Sequence, residues 1–262
     1  MSAHGHPLDD VQGEDSQVLN IKLNPGEELK AEPGALMYMG DEVEATCECC
    51  DTPAGPFIRC LSGESCCKIV YANKGGEASV VGLTPNFPAK VFALEVGNGH
   101  YHVKPGGYMA EVDGIDVSVG FPGLPACCCA GLGCCVQQLH NGPGASNGTA
   151  FVAAGGTVLT RDLKAGEKIV IDSTSLVAWH DSVSIGFTPV GSLLACCFSG
   201  EGCCFMTAEG PGKVIMQSMS FEKLQAAMGP SKAEVAAKIA IEVAAAAAEN
   251  GGGAPAGVAM ER

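Results

Sequence analysis

Short alternations of apolar and polar residues, cut by glycine and proline, run along most of this chain and predict β-strands. His100-Tyr101-His102-Val103 alternates with the period of a half-buried strand, and Glu167-Lys168-Ile169-Val170-Ile171-Asp172 has a β-rich centre. Pro-Gly and Gly-Pro-Gly sequences punctuate these stretches, glycine supplying positive φ and proline fixing its own. A helical pattern is read only near the C-terminus. Pro230-Ser231 opens it, Lys232 to Asn250 contains neither Gly nor Pro, and Gly251-Gly252-Gly253 closes it. Its apolar stripe, Val235, Ile239 and Val243, is narrow. The helix is therefore expected to pack lightly and to add little to core stability.

The pattern repeats. Leu-x-x-Gly occurs at Leu23/Gly26, Leu94/Gly97 and Leu163/Gly166, at spacings of 71 and 69 residues. Cys-x5-Cys-Cys occurs at Cys60/Cys66/Cys67, Cys128/Cys134/Cys135 and Cys197/Cys203/Cys204, at spacings of 68 and 69. Between them lie Pro33-Gly34-Ala35-Leu36, Pro105-Gly106-Gly107-Tyr108 and the divergent Ser173-Thr174-Ser175-Leu176; after them come Gly75-Gly76, Gly142-Pro143-Gly144 and Gly210-Pro211-Gly212. Four markers in one order, three times over, describe three copies of a unit of about 70 residues. No such unit buries its own apolar face, so the copies must pack on a shared core. The expected fold is all-β, a pseudo-threefold β-sandwich or barrel of three repeats, plus one Ala-rich C-terminal helix. The expected organisation is a disordered N-terminus over 1–16, the triplicated β domain over 17–226, the helix over 227–250 and a disordered tail over 251–262. Leu23, Leu94 and Leu163 should then occupy equivalent positions.

Composition narrows the function. Of 262 residues, 15 are Lys or Arg and 29 are Asp or Glu, a formal net charge of −14. That balance opposes nucleic-acid binding, which needs clustered cations to displace counterions from phosphate. No run of 18 uncharged apolar residues outside the Gly- and Cys-broken loops predicts a transmembrane segment. The 15 cysteines are odd in number, and the first ten residues carry no apolar signal region and no Arg. The expectation is therefore a reducing compartment with mostly free thiols, and a cytoplasmic location.

Pro33-Gly34-Ala35-Leu36-Met37, Gly75-Gly76-Glu77-Ala78, Pro85-Asn86-Phe87-Pro88-Ala89-Lys90-Val91, Phe198-Ser199-Gly200-Glu201-Gly202 and Gly210-Pro211-Gly212-Lys213-Val214-Ile215-Met216-Gln217 stand in this order. Together they resemble the altered inheritance of mitochondria protein 24 family, also called the mitochondrial biogenesis family, over roughly Val18 to Leu224. The resemblance implies a β body of the tryptophan RNA-binding attenuator-like class and no enzyme activity. It also implies a mitochondrial alternative for the location, since fungal members are similar to factors that shape the inner membrane. Family members usually carry Phe, Leu or Gly where this chain has its cysteine clusters.

The candidate chemistry is mostly thiol chemistry. Cys60, Cys66, Cys67, Cys128, Cys134, Cys135, Cys197, Cys203 and Cys204 are the metal-ligand candidates, with Zn or Cu(I) as the ion if the three hairpins converge near the pseudo-axis. The competing reading makes them small apolar core filler; disulfides and S-acylation on a membrane are further alternatives. Arg59-Cys60 and Cys67-Lys68 are the only cysteines with an adjacent base, the setting that lowers a thiol pKa. His100 and His102 share one strand face and could chelate an ion, and Ser2-Ala3-His4 could bind Cu(II) once Met1 is removed. His180-Asp181-Ser182 is contiguous, and triads converge from separate elements, so no catalytic residue is assigned. Asp41-Glu42, Glu44 and Glu111-Asp113-Asp116 read as solvated charges, and Trp179 reads as core. No cofactor is expected. The function expected is a non-enzymatic scaffold or interaction protein with protein partners and a peripheral membrane contact; the alternative is a Cys-rich metal-binding or thiol-redox protein.

Overall fold

In the computed structural model, residues 10–49, 67–97, 99–120, 136–145, 148–189 and 204–229 are described, and the alternating stretches among them become strands. The first unit runs through β2 (Val18–Leu23), β3 (Glu28–Ala31), β4 (Leu36–Met39), β5 (Val43–Cys49), β6 (Cys67–Asn73) and β7 (Ser79–Leu83), preceded by β1 (Asp10–Gln12). The second contains β8 (Lys90–Glu95), β9 (Tyr101–Val103), β10 (Tyr108–Val112), β11 (Ile115–Gly120), β12 (Val136–Asn141) and β13 (Thr149–Ala154). The third contains β14 (Val158–Leu163), β15 (Lys168–Ile171), β16 (Leu176–His180), β17 (Ser184–Pro189), β18 (Cys204–Glu209) and β19 (Gly212–Gln217). The fold is all-β in class, with several antiparallel sheets.

Within each unit the pairing scheme is the same. The first strand pairs with the sixth, the third with the sixth, the second with the fifth and the fourth with the fifth, all antiparallel. Every unit is thus two half-sheets, and neighbouring units join half-sheet to half-sheet. β3 pairs with β10, and β9 pairs with β16. These two seams create the six-stranded sheets β5-β6-β3-β10-β13-β8 and β11-β12-β9-β16-β19-β14. The corresponding third seam would join β15 to β4. Instead, β4 ends the sheet β1-β2-β7-β4 and β15 ends the sheet β15-β18-β17, so no barrel closes.

A bulge marks the start of the third strand in every unit. Register shifts fall between Leu36 and Tyr38, Tyr108 and Ala110, and Leu176 and Ala178, with Met37, Met109 and Val177 as the extra residues. A bulge re-aims the local backbone, and two of these carbonyls reach across a seam. Glu32 N–H donates to Met109 O at 2.9 Å, and Lys104 N–H donates to Val177 O at 2.8 Å. The sequence markers Leu36, Tyr108 and Leu176 therefore open equivalent strands. Leu23, Leu94 and Leu163 do not all match. Leu23 and Leu163 face the first residues of β7 and β19, whereas Leu94 faces Ala150, the second residue of β13. The second unit reaches its turn through Val96, whose N–H bonds Gly148 O at 3.2 Å, so its Leu-x-x-Gly is out of step.

The buried apolar residues form three clusters. The first gathers Leu19, Leu29 and Val81 with Met109 and Phe151 of the second unit. The second gathers Tyr101, Val103 and Leu139 with Val177 and Ile215 of the third. The third holds Leu176, Trp179 and Met206 with Val136 of the second unit and, among the described residues, none from the first. The core thus follows the two formed seams.

Two boundaries differ from expectation. Asp10–Gln12 pairs with β2 in the register Asp10↔Asn20 to Gln12↔Val18, although 1–16 reads as disordered. A three-residue edge strand is too short to show a period, and its partner Val18–Leu23 supplies the order. A helix, α1 (Phe221–Met228), begins inside the segment assigned to the β domain. Its residues Glu, Lys, Leu, Gln and Ala are strong helix formers, though the segment is short. It belongs to a second compact unit that starts at Phe221. The Ala-rich run and the tail lie outside the described residues.

Leu19 and Leu159 occupy equivalent ladder positions, opposite Leu83 and Met216, yet Leu19 is 0 % exposed and Leu159 53 %. Leu19→Ala should cost about 3 kcal/mol of unfolding free energy, and Leu159→Ala less than about 1 kcal/mol. Denaturant titration of the two variants checks this.

Candidate functional site

Of the nine candidate thiols, Cys60, Cys66, Cys128, Cys134, Cys135, Cys197 and Cys203 lie outside the described residues. Cys67 and Cys204 open β6 and β18, equivalent strands that pair at these ends with Cys49 and Pro189. Cys67 is half-buried and disulfide-bonded, so at this position neither the free-thiol nor the core-filler reading holds. Cys47 on β5 is exposed. No group of three or more His, Cys, Asp or Glu among the described residues could hold a metal ion.

Lys68, the base beside Cys67, faces elsewhere. Adjacent strand residues point to opposite sides, and Lys68 Nζ donates to Glu111 Oε1 at 2.8 Å, with its ammonium 5.3 Å from the centroid of the Tyr108 ring. Glu111, expected in solvent, is 3 % exposed. It lies on β10 directly opposite Lys30 of β3, so the cluster sits on the first seam. Lys30 Nζ in turn bonds Glu48 Oε2 at 2.7 Å. Burial pushes the Glu111 carboxyl above its ordinary range, against the pull of Lys68. For Lys30, burial lowers the pKa, but the bond to Glu48 and the charges of Glu48, Glu111 and Glu28 outweigh it and hold it raised. A carboxylate taken out of water needs such partners.

The second seam is aromatic. His102 of β9 lies opposite Trp179 of β16, and their rings stack at 5.1 Å with 15° between planes. His100 stacks instead on His140 of β12, at 5.2 Å and 22°. The two histidines read as a chelating pair are thus each engaged by a different ring. His140 Nε2 lies 3.5 Å from Asp116 Oδ2, an edge charge on β11. Trp179 is buried, as its apolar neighbours suggested.

His180, Asp181 and Ser182 do touch, but in the wrong order for a triad. Ser182 Oγ at 2.7 Å and Asp181 Oδ1 at 3.0 Å both meet His180 Nδ1. A triad base needs its carboxylate on one ring nitrogen and its nucleophile on the other. The other nitrogen, Nε2, packs on Gly99, where a Cβ would come within 2.1 Å of it.

Two asparagines, buried Asn73 and half-buried Asn141, lay outside the motifs read from the sequence. Asn73 Nδ2 donates to Leu23 O at 2.9 Å and to Glu77 O at 2.8 Å, while its Oδ1 accepts from Gly75 N–H at 2.9 Å. Asn141 does the same in the second unit, donating to Gly97 O and accepting from Gly148 N–H at 2.8 Å. An Asn six residues after the last Cys of the first two Cys-x5-Cys-Cys motifs, Cys67 and Cys135, ahead of a Gly turn, was the available signal.

The family described as mitochondrial biogenesis AIM24 matches residues 10–219, nearly all of the β body. The chain belongs to this family. A crystal structure of a Streptococcus pyogenes protein is similar at 19 % identity, with a TM-score of 0.62, covering 81 % of this chain and 93 % of that one. At that identity the likeness is one of fold. None of the curated proteins matches the chain. In this AIM24-family member, Lys30 and Glu111 of the first seam and His102 of the second are among the perturbed groups.

Burial lowers the His102 pKa below its ordinary range, and its Nδ1 is buried with no hydrogen-bond partner among the described residues. A depressed base is favoured neutral in the folded state, so stability is full above the unfolded value of about 6.5 and falls as pH drops through it. Unfolding free energy should decline between about pH 7 and pH 5.5, and His102→Phe should flatten that slope. Urea titrations across this range check it.

Proposed function

We propose that this chain is a non-enzymatic scaffold or interaction protein of the mitochondrial biogenesis family, taking protein partners and contacting a membrane peripherally. One observation carries the reading: buried Glu111 with Lys68, and half-buried His102 with Trp179, lie where strands of neighbouring units join. Catalytic groups are instead perturbed where they converge on a cleft. No helix among the described residues is long and apolar enough to cross a membrane, in keeping with a peripheral contact, though this says nothing about spanning by strands. The family description favours the mitochondrial location over the cytoplasmic one. The acidic balance of −14 argues against nucleic acid as the partner.

A second reading, thiol-redox or metal chemistry, is favoured by the disulfide at Cys67 and the exposed thiol at Cys47. Thiol labelling and metal analysis of protein purified under reducing conditions separate the two. A scaffold should label with rates that climb about tenfold per pH unit up to pH 8, as ordinary thiols do, and carry no stoichiometric metal. A thiol already at its full rate at pH 6, or one equivalent of Zn or Cu per chain, would transfer the function to the cysteines.

A further inference from the structure

The third seam is open, and of its two edges β4 is unlike the other described edges, while β15 carries a single charge, Lys168, at its first residue. Sheet-terminal strands normally carry charge or proline to block pairing with other chains. Glu44 and Glu48 serve on β5, Lys90 and Glu95 on β8, Asp116 on β11, and Arg161 and Asp162 on β14. β4 reads Leu36-Met37-Tyr38-Met39, with no charge and no proline, and all four residues are exposed, Met37 at 60 %. β15 reads Lys168-Ile169-Val170-Ile171, with Val170 62 % exposed.

Both edges match strands that are paired elsewhere. By ladder position Met39 corresponds to Glu111 and Trp179, and Val170 to Lys30 and His102. At the first seam these positions face each other as Glu111 and Lys30, and at the second as Trp179 and His102. At the third they are Met39 and Val170, an apolar pair left in water. Leu36 completes the contrast, being 38 % exposed where its counterpart Leu176 is fully buried.

We propose that a second copy of this chain occupies the open seam, β4 of each copy pairing antiparallel with β15 of the other in the register of the two internal seams. A second copy presents both edges the seam requires. The pairing would extend the four-stranded sheet of one copy with the three-stranded sheet of its partner, twice over, in a closed twofold dimer. Met39 and Val170 then leave water as the corresponding pairs do at the internal seams. This surface is independent of the scaffold reading, since an enzyme could dimerise in the same way.

The test copies the chemistry of the first seam into the third. Sedimentation equilibrium of the full chain at about 10 to 100 µM should show a dimer. Met39→Glu alone and Val170→Lys alone should each be monomeric, with the melting profile of a folded protein. Mixing the two single variants should restore a one-to-one dimer, because one of its seams pairs Glu with Lys and the other is unaltered. A chain carrying both substitutions should dimerise by itself, and high salt should weaken that dimer more than the original. A monomeric original chain, single variants that remain dimeric, or folded single variants that fail to associate on mixing would each overturn the proposal.

Discussion

Strand pairing between units is the constraint on which this molecule rests. Each unit is two half-sheets of three strands, too small to cover its own apolar face or to retire its own edges. The β3–β10 and β9–β16 seams solve both problems at once, merging half-sheets into six-stranded sheets and letting Met109 and Phe151, or Val177 and Ile215, complete the core of the preceding unit. The third-strand bulges belong to the same device, since the carbonyls of Met109 and Val177 bond the backbone of the neighbouring unit.

The polar chemistry follows from where the seams run. A side chain at a seam is covered on both flanks, so a charged residue there must be matched. Glu111 is matched by Lys68, and the neutral alternative appears one unit later as His102 on Trp179. These clusters resemble sites in their burial and their shifted pKa values, yet their partners lie across the ladder within the sheet. At the same ladder position the third unit and the first unit have Val170 and Met39, and there the sheets stop.

Much of the fold was legible in the sequence because turns and alternation are local. Pro33-Gly34, Pro105-Gly106 and Ser173-Thr174 each precede the start of an equivalent strand, and Leu36, Tyr108 and Leu176 each open one. Leu94 misled, since a shorter turn after Val96 shifts the motif against the ladder. Glu111 misled for a different reason: whether an acidic residue on a strand meets water depends on which strand lies beside it, and Lys68 is 43 residues away. The same holds for His102 and Trp179. Cysteine spacing marked the entries of β6 and β18 but could not distinguish a packed thiol from the disulfide at Cys67.

If the seams fuse the units into one cooperative body, the seam amides must open only when the cores do. Native-state hydrogen exchange measures this directly at Glu32 N–H, which bonds Met109 O, and Lys104 N–H, which bonds Val177 O. Both should exchange with the same opening free energy as the central amides of β7 and β13. Seam amides that exchange at markedly lower free energy, while those strands stay protected, would mean that the units open separately and that the seams are contacts between independent domains.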